Sequence, residues 1–91
     1  MGELERSLKG HAGMINCVQF SPNGQILASC AVDMHVKLWN MQTFKNYKTL
    51  EGHEHEVSGL AFAPGEYLLS CSRDQTIRIW DTSTGMCITK L

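Results

Sequence analysis

Apolar and polar side chains alternate with a period of two in short runs along most of this chain. The clearest runs are Leu68–Ser72 and Thr76–Trp80. In the second, Ile77 and Ile79 alternate with Arg78 and Trp80, the spacing of a half-buried strand. The polar triplet Arg73-Asp74-Gln75 between them predicts a β-hairpin closed by a four- or five-residue turn. The chain carries this hairpin twice: Ser29 to Asn40 precedes Ser70 to Asp81 by 41 residues, and the two tryptophans of the chain, Trp39 and Trp80, hold equivalent places. A fixed period in the forties is the mark of a repeat architecture.

The other alternating runs follow the same period. Met14–Phe20 predicts a strand with Ile15 and Cys17 on one buried face and Val18 on the other, apolar on both sides and so covered on both. Ser21-Pro22-Asn23-Gly24 is a turn, because proline fixes φ and glycine supplies a positive one. Strands are expected at Gln25–Ala31, Val36–Trp39 and, more exposed, Asn46–Leu50. The order then repeats with Val57–Phe62, Tyr67–Ser72, Thr76–Trp80 and Cys87–Leu91. Ala63-Pro64-Gly65-Glu66 is one residue shorter than its counterpart, which changes the period from 42 to 41. Ser7-Leu8-Lys9-Gly10-His11 matches Thr49-Leu50-Glu51-Gly52-His53, so a further strand is expected at 4–8. The reading is all-β: nine strands, no helix, and two repeats over about 10–50 and 52–91.

Composition narrows the function classes. With 91 residues, 43% of them apolar and 19% charged, the chain is one domain with a modest core and not a disordered segment. A net charge of −1 argues against general nucleic-acid or anionic-membrane binding. No apolar run approaches the ~20 residues that span a bilayer. The start Met1-Gly2-Glu3-Leu4-Glu5-Arg6 has no hydrophobic signal region, and Arg6 breaks the myristoylation pattern, so a cytoplasmic protein is expected. Cys30 and Cys71 are repeat equivalents, Cys17 and Cys87 lie in other strands, and no C-x-x-C pair exists. They read as small buried side chains in a reducing compartment; zinc-ligand spacing is absent.

At Gly52-His53, Ser70-x-x-x-Asp74 and Trp80-Asp81 the chain resembles the WD-repeat β-propeller family, with Gly10-His11, Ser29-x-x-x-Asp33 and Trp39-Asn40 as the first copy. Asn40 stands where the family has aspartate, and Ala63-Pro64 where it usually has Ser-Pro. The resemblance implies two four-stranded antiparallel propeller blades plus one extra strand. It also implies a structural hydrogen-bonded tetrad in each blade: His11, Ser29, Asp33 and Trp39, then His53, Ser70, Asp74 and Trp80. The residue types suit such a chain. An indole N–H only donates, a serine hydroxyl accepts and donates, and a histidine can give its other proton to a carboxylate. Ser72 is the alternative serine, but its equivalent is Ala31. The same Ser, His and Asp would also describe a hydrolase triad; the motif's duplication and the lack of a G-x-S-x-G elbow oppose catalysis. His53-x-His55 between Glu54 and Glu56 invites a metal reading, which the tetrad role of His53 opposes. No metal, cofactor or catalytic residue is expected.

In this family a ring of about 4–8 blades closes the architecture, and two blades alone would leave apolar faces and strand edges in water. The chain is therefore expected to complete a propeller by self-association of three or four copies. Strands 4–8 and Cys87–Leu91 would then compete for one slot. The resemblance also implies a non-catalytic scaffold that binds a protein or peptide partner on its upper rim. By position that rim is Ala12, Gly13, Val32, Met34, Glu54, His55, Glu56, Arg73 and Gln75, where the two glutamates suit a basic peptide. Within the family the chain is most similar to the lissencephaly-type dynein regulators, through Ala28-Ser29-Cys30, Gly52-His53-x-His55-x-Val57-Ser58 and Ser72-Arg73-Asp74-x-Thr76-Ile77. A piece of such a propeller is the alternative to a self-assembling one.

Overall fold

The computed structural model describes His11 and residues 13–91; the strand expected at 4–8 and the rim residue Ala12 lie outside them. Eight strands follow one another: β1 (Ile15–Phe20), β2 (Ile26–Ala31), β3 (Val36–Asn40), β4 (Lys45–Leu50), β5 (Val57–Ala63), β6 (Tyr67–Ser72), β7 (Ile77–Asp81) and β8 (Cys87–Lys90). They form two antiparallel sheets in chain order, β1-β2-β3-β4 and β5-β6-β7-β8. No described residue is helical.

The repeat seen in the sequence reaches down to the irregularities of pairing. β1 and β5 each slip register near their start, between Ile15 and Cys17 and between Val57 and Gly59. The β3–β4 and β7–β8 ladders slip just before the tryptophan, leaving Tyr47 and Ile88 as the extra residues. Such bulges bend a strand and re-aim a side chain, and Tyr47 uses this to reach the second sheet, where its hydroxyl donates to the Thr82 carbonyl at 3.2 Å. The β2–β3 and β6–β7 turns are also twins. Met34 N–H donates to Ala31 O and Gln75 N–H to Ser72 O, and both Met34 and Gln75 take a positive φ, 73° and 72°. This is a type I turn closed by a left-handed residue.

The core lies between the sheets. Ala28, Cys30, Val36, Leu38 and Leu50 of the first face Val57, Leu60, Leu68 and Trp80 of the second. A fully buried Val or Leu contributes about 1.5–3 kcal/mol, so this seam carries most of the apolar stabilisation. Gly59 lies on the opposite, open face of the second sheet, where a Cβ would stand 2.9 Å from the Sγ of its cross-strand partner Cys71.

Two expectations need correction. β1 is not covered on both faces: Ile15, Val18 and Phe20 are exposed, because no sheet stacks on their side among the described residues. The cysteines are not uniformly buried either. Cys30 is buried in the seam and Cys17 is half-buried beside it, but Cys71 and Cys87 are exposed. Cys71 shares its sheet position with Cys30 and lacks the sheet that covers Cys30.

Candidate functional site

Strand register explains how serine meets tryptophan. Ser70 pairs with Arg78 and Leu68 with Trp80, so Trp80 lies two residues further along on the same face as Ser70, within reach of a long side chain. Ser29, Lys37 and Trp39 repeat the relation. Trp80 Nε1 donates to Ser70 Oγ at 2.8 Å, and Trp39 Nε1 to Ser29 Oγ at 2.9 Å. In each sheet the serine Oγ lies 2.7 Å from a histidine Nε2, of His53 or His11. Nδ1 of each histidine lies 3.0 Å from a carboxylate oxygen, of Asp74 or Asp33. The indole can only donate, so the serine hydroxyl gives its proton to Nε2 and Nδ1–H gives its own to the carboxylate. The structure thus brings all eight residues into two chains of hydrogen bonds.

Each aspartate also ties its own turn. Asp74 Oδ1 accepts from Thr76 N at 2.9 Å, and Asp33 Oδ1 from His35 N at 3.0 Å. Thr76, which sequence reasoning left out, joins the second network: its hydroxyl donates to Asp74 Oδ1 and lies 3.3 Å from His53 Nδ1. Its counterpart His35 sits 4.0 Å from the Asp33 carboxylate. Ser72 is outside the network, donating to Glu56 O and accepting from Asp74 N.

Burial works against the charge on Asp74. Hydrogen bonds from the Thr76 hydroxyl, Glu54 N, His53 and Thr76 N outweigh it and hold the carboxyl well below the usual carboxylate range. A folded-state pKa below the unfolded ~3.9 means stability that is whole above about pH 4 and lost as pH falls below it. Thermal melts followed by circular dichroism should therefore drop between about pH 4 and pH 2. Asp74→Asn, less stable at neutral pH, should lose less over the same span.

At the end of the strands that carries the β2–β3 and β6–β7 turns, Val32, Met34, Glu54, His55 and Glu56 surround a depression of about 290 Å³. Arg73 reaches across to Glu56 at 3.5 Å. Gln75 sits at the tip of its turn, and Gly13 packs so close to Val32 that a Cβ would lie 2.4 Å from Val32 Cγ2. Residues of both sheets thus meet at one rim. Among the described residues no three His, Cys, Asp or Glu side chains are placed to hold a metal ion, and no helix is long and apolar enough to cross a membrane.

Comparisons with known proteins agree with this architecture. The family model described as WD domain, G-beta repeat matches residues 2–40 and 44–81. The second stretch takes in β4, which is hydrogen-bonded into the first sheet, so each sequence repeat is offset by a strand from the sheet in space. The chain is 48% identical to nuclear distribution protein nudF 1 of Talaromyces marneffei over 97% of its own length. To nuclear distribution protein PAC1 of Arthroderma otae it is 44% identical over 100% of its length. It spans 20% and 22% of those two relatives, about a fifth. The solved structure of U3-55K matches 91% of the chain with a TM-score of 0.86 at 31% identity, the chain covering 26% of that protein.

Proposed function

Because the chain belongs to the WD-repeat family, we propose that it is a non-catalytic scaffold for protein–protein contact whose open blade faces are filled by copies of itself, three or four closing a ring. One observation carries the reading: several apolar side chains that a neighbouring blade covers in one repeat have exposed equivalents in the other. Val36 is 0% exposed and its equivalent Ile77 41%; Leu50 is 2% exposed and Leu91 68%. On the opposite faces Leu60 is 9% exposed and its equivalent Val18 51%. The outer face of blade two therefore repeats the face that blade one already buries, and the outer face of blade one repeats its complement. Such a head-to-tail contact closes when its rotation divides a full turn.

In this reading the two repeats, about 10–50 and 52–91, are the building units, and each His-Ser-Asp-Trp network is structural. Ser70 is 1% exposed, with its oxygen engaged by both Trp80 and His53, which leaves a substrate no approach. The rim at Val32, Met34, Glu54, His55, Glu56, Arg73 and Gln75 is the place for a protein or peptide partner, a basic one by the two glutamates, in the cytoplasm. The identity to the nuclear distribution proteins favours a second reading, in which these blades serve within a longer, dynein-regulating propeller of the lissencephaly type. The same faces would then be filled by blades of one polypeptide.

Thiol labelling tests the assembly. Cys71 is the equivalent of buried Cys30 and is covered when a copy docks. Cys87 is the equivalent of exposed Asn46 and stays open. Iodoacetamide should therefore modify Cys87 and spare Cys71 at concentrations where the ring forms, and reach both on dilution. Cys30 should stay unmodified throughout, because burial, with the neighbouring Cys17 and Cys71 thiols adding to it, pushes its thiol up to about 12. Equal labelling of Cys71 and Cys87 at every concentration would overturn the reading.

A further inference from the structure

A well-formed concavity lies at the opposite end of the strands from the rim. There the β1–β2 and β3–β4 turns of blade one face the β5–β6 and β7–β8 turns of blade two across a groove of about 590 Å³, a size usual for ligand sites. Its apolar lining comes from Ile26, Phe62, Pro22 and Pro64. Tyr47 bridges the blades by its hydrogen bond to the Thr82 carbonyl. Thr82, 2% exposed, donates from its N–H and its hydroxyl to the Glu66 carbonyl at 2.7 and 3.0 Å, so the backbone of Glu66 is fixed at the mouth.

Glu66 is the one charged side chain lining the groove. Among the described residues the ion pairs occupy Asp33, Glu51, Asp74 and Glu56, and none reaches Glu66. Its carboxylate lies close enough to Tyr47 to help burial push that phenol up. Asn40 adds a donor. Its Oδ1 accepts from Gln42 N and Thr43 N at 2.7 and 3.1 Å, the work that the Asp81 carboxylate does for Ser83 N and Thr84 N in blade two. The amide NH2 of Asn40 has no partner among the described residues.

We propose that this groove seats an extended segment of a partner protein through one lysine or arginine side chain. The aliphatic stem lies on Phe62 and the prolines, as long cationic side chains do on apolar surface, and the cation meets Glu66. Apolar walls lower the local dielectric and strengthen that pairing relative to water. The side-chain amides of Gln25 and Gln42 offer donors and acceptors and that of Asn40 its NH2, which suits the main chain of a peptide whatever its sequence. The groove is complete within one chain, so the proposal does not rest on ring closure.

Nitrogen-15 NMR titration of the full chain tests it, with the capped peptides Ac-Ala-Pro-Arg-Leu-Ala-NH2 and Ac-Ala-Pro-Gln-Leu-Ala-NH2 as probes. The arginine peptide should shift the backbone amides of Gly65, Glu66, Thr82 and Ser83 and bind about tenfold more tightly than the glutamine peptide. Glu66→Gln should erase that preference, and Asn40→Asp, which keeps the cap seen at Asp81 and adds a charge, should enlarge it. Equal affinity for the two peptides overturns the proposal. So do shifts confined to Val32, Glu54 and Glu56 at the rim, or no movement of groove amides at millimolar peptide.

Discussion

Ile77→Asp is expected to convert an assembly of three or four times the 10.2 kDa chain mass into single chains, as read by multi-angle light scattering. Ile77 is 41% exposed in the lone chain, so an aspartate there should change the fold's own stability by less than about 1 kcal/mol. In the ring it would occupy the place that Val36 occupies between blades, at 0% exposure. An unpaired carboxylate in such a place costs several kcal/mol, enough to weaken each seam by more than about a hundredfold. A mass of one compact chain for the unsubstituted protein sinks the self-assembly reading, as does an Ile77→Asp mass equal to the parent's.

Ser70→Ala should cost about 2–6 kcal/mol, because it strands two buried groups, the Trp80 indole N–H and His53 Nε2, at about 1–3 kcal/mol each. A domain of this size has only about 5–14 kcal/mol to lose, so urea denaturation should show the midpoint falling steeply. The outcome separates a structural network from a catalytic one. A triad serine replaced by alanine leaves folding intact and abolishes hydrolysis of an ester substrate, whereas a tetrad serine takes stability with it and has no hydrolysis to remove.

The strands were legible because alternation is local and was written twice. Each of the eight described strands falls within a residue or two of its expected place, and the shortened turn at Gly65 explains the change of period. The residues of the two networks could be named because each has a distinctive hydrogen-bonding repertoire and recurs at the repeat distance. Thr76 escaped notice because a threonine after a turn aspartate reads as the start of a strand; its hydroxyl matters only once the turn has brought it back to His53. Burial was the harder part. The run Ile15 to Phe20 has the same apolar character as Val57 to Phe62, yet one is open and the other packed, since alternation reports which face a side chain takes and not whether anything stands opposite. The groove was invisible for a similar reason: its lining comes from turns far apart in sequence, and each turn alone reads as solvated.

The bulge that turns Tyr47 toward Thr82 makes the seams of a ring unequal. Within the chain the blades are tied by that hydrogen bond and by Asn16 Nδ2 donating to the Val57 carbonyl at 2.8 Å. Between chains the equivalent positions hold Ile88, which cannot donate, and Ser58, which is shorter than asparagine. A ring of these chains would have built-in fault lines at alternate seams. Subunits would leave and rejoin as intact two-blade units, and mixing two isotopically distinct populations would scramble whole chains long before either unfolds.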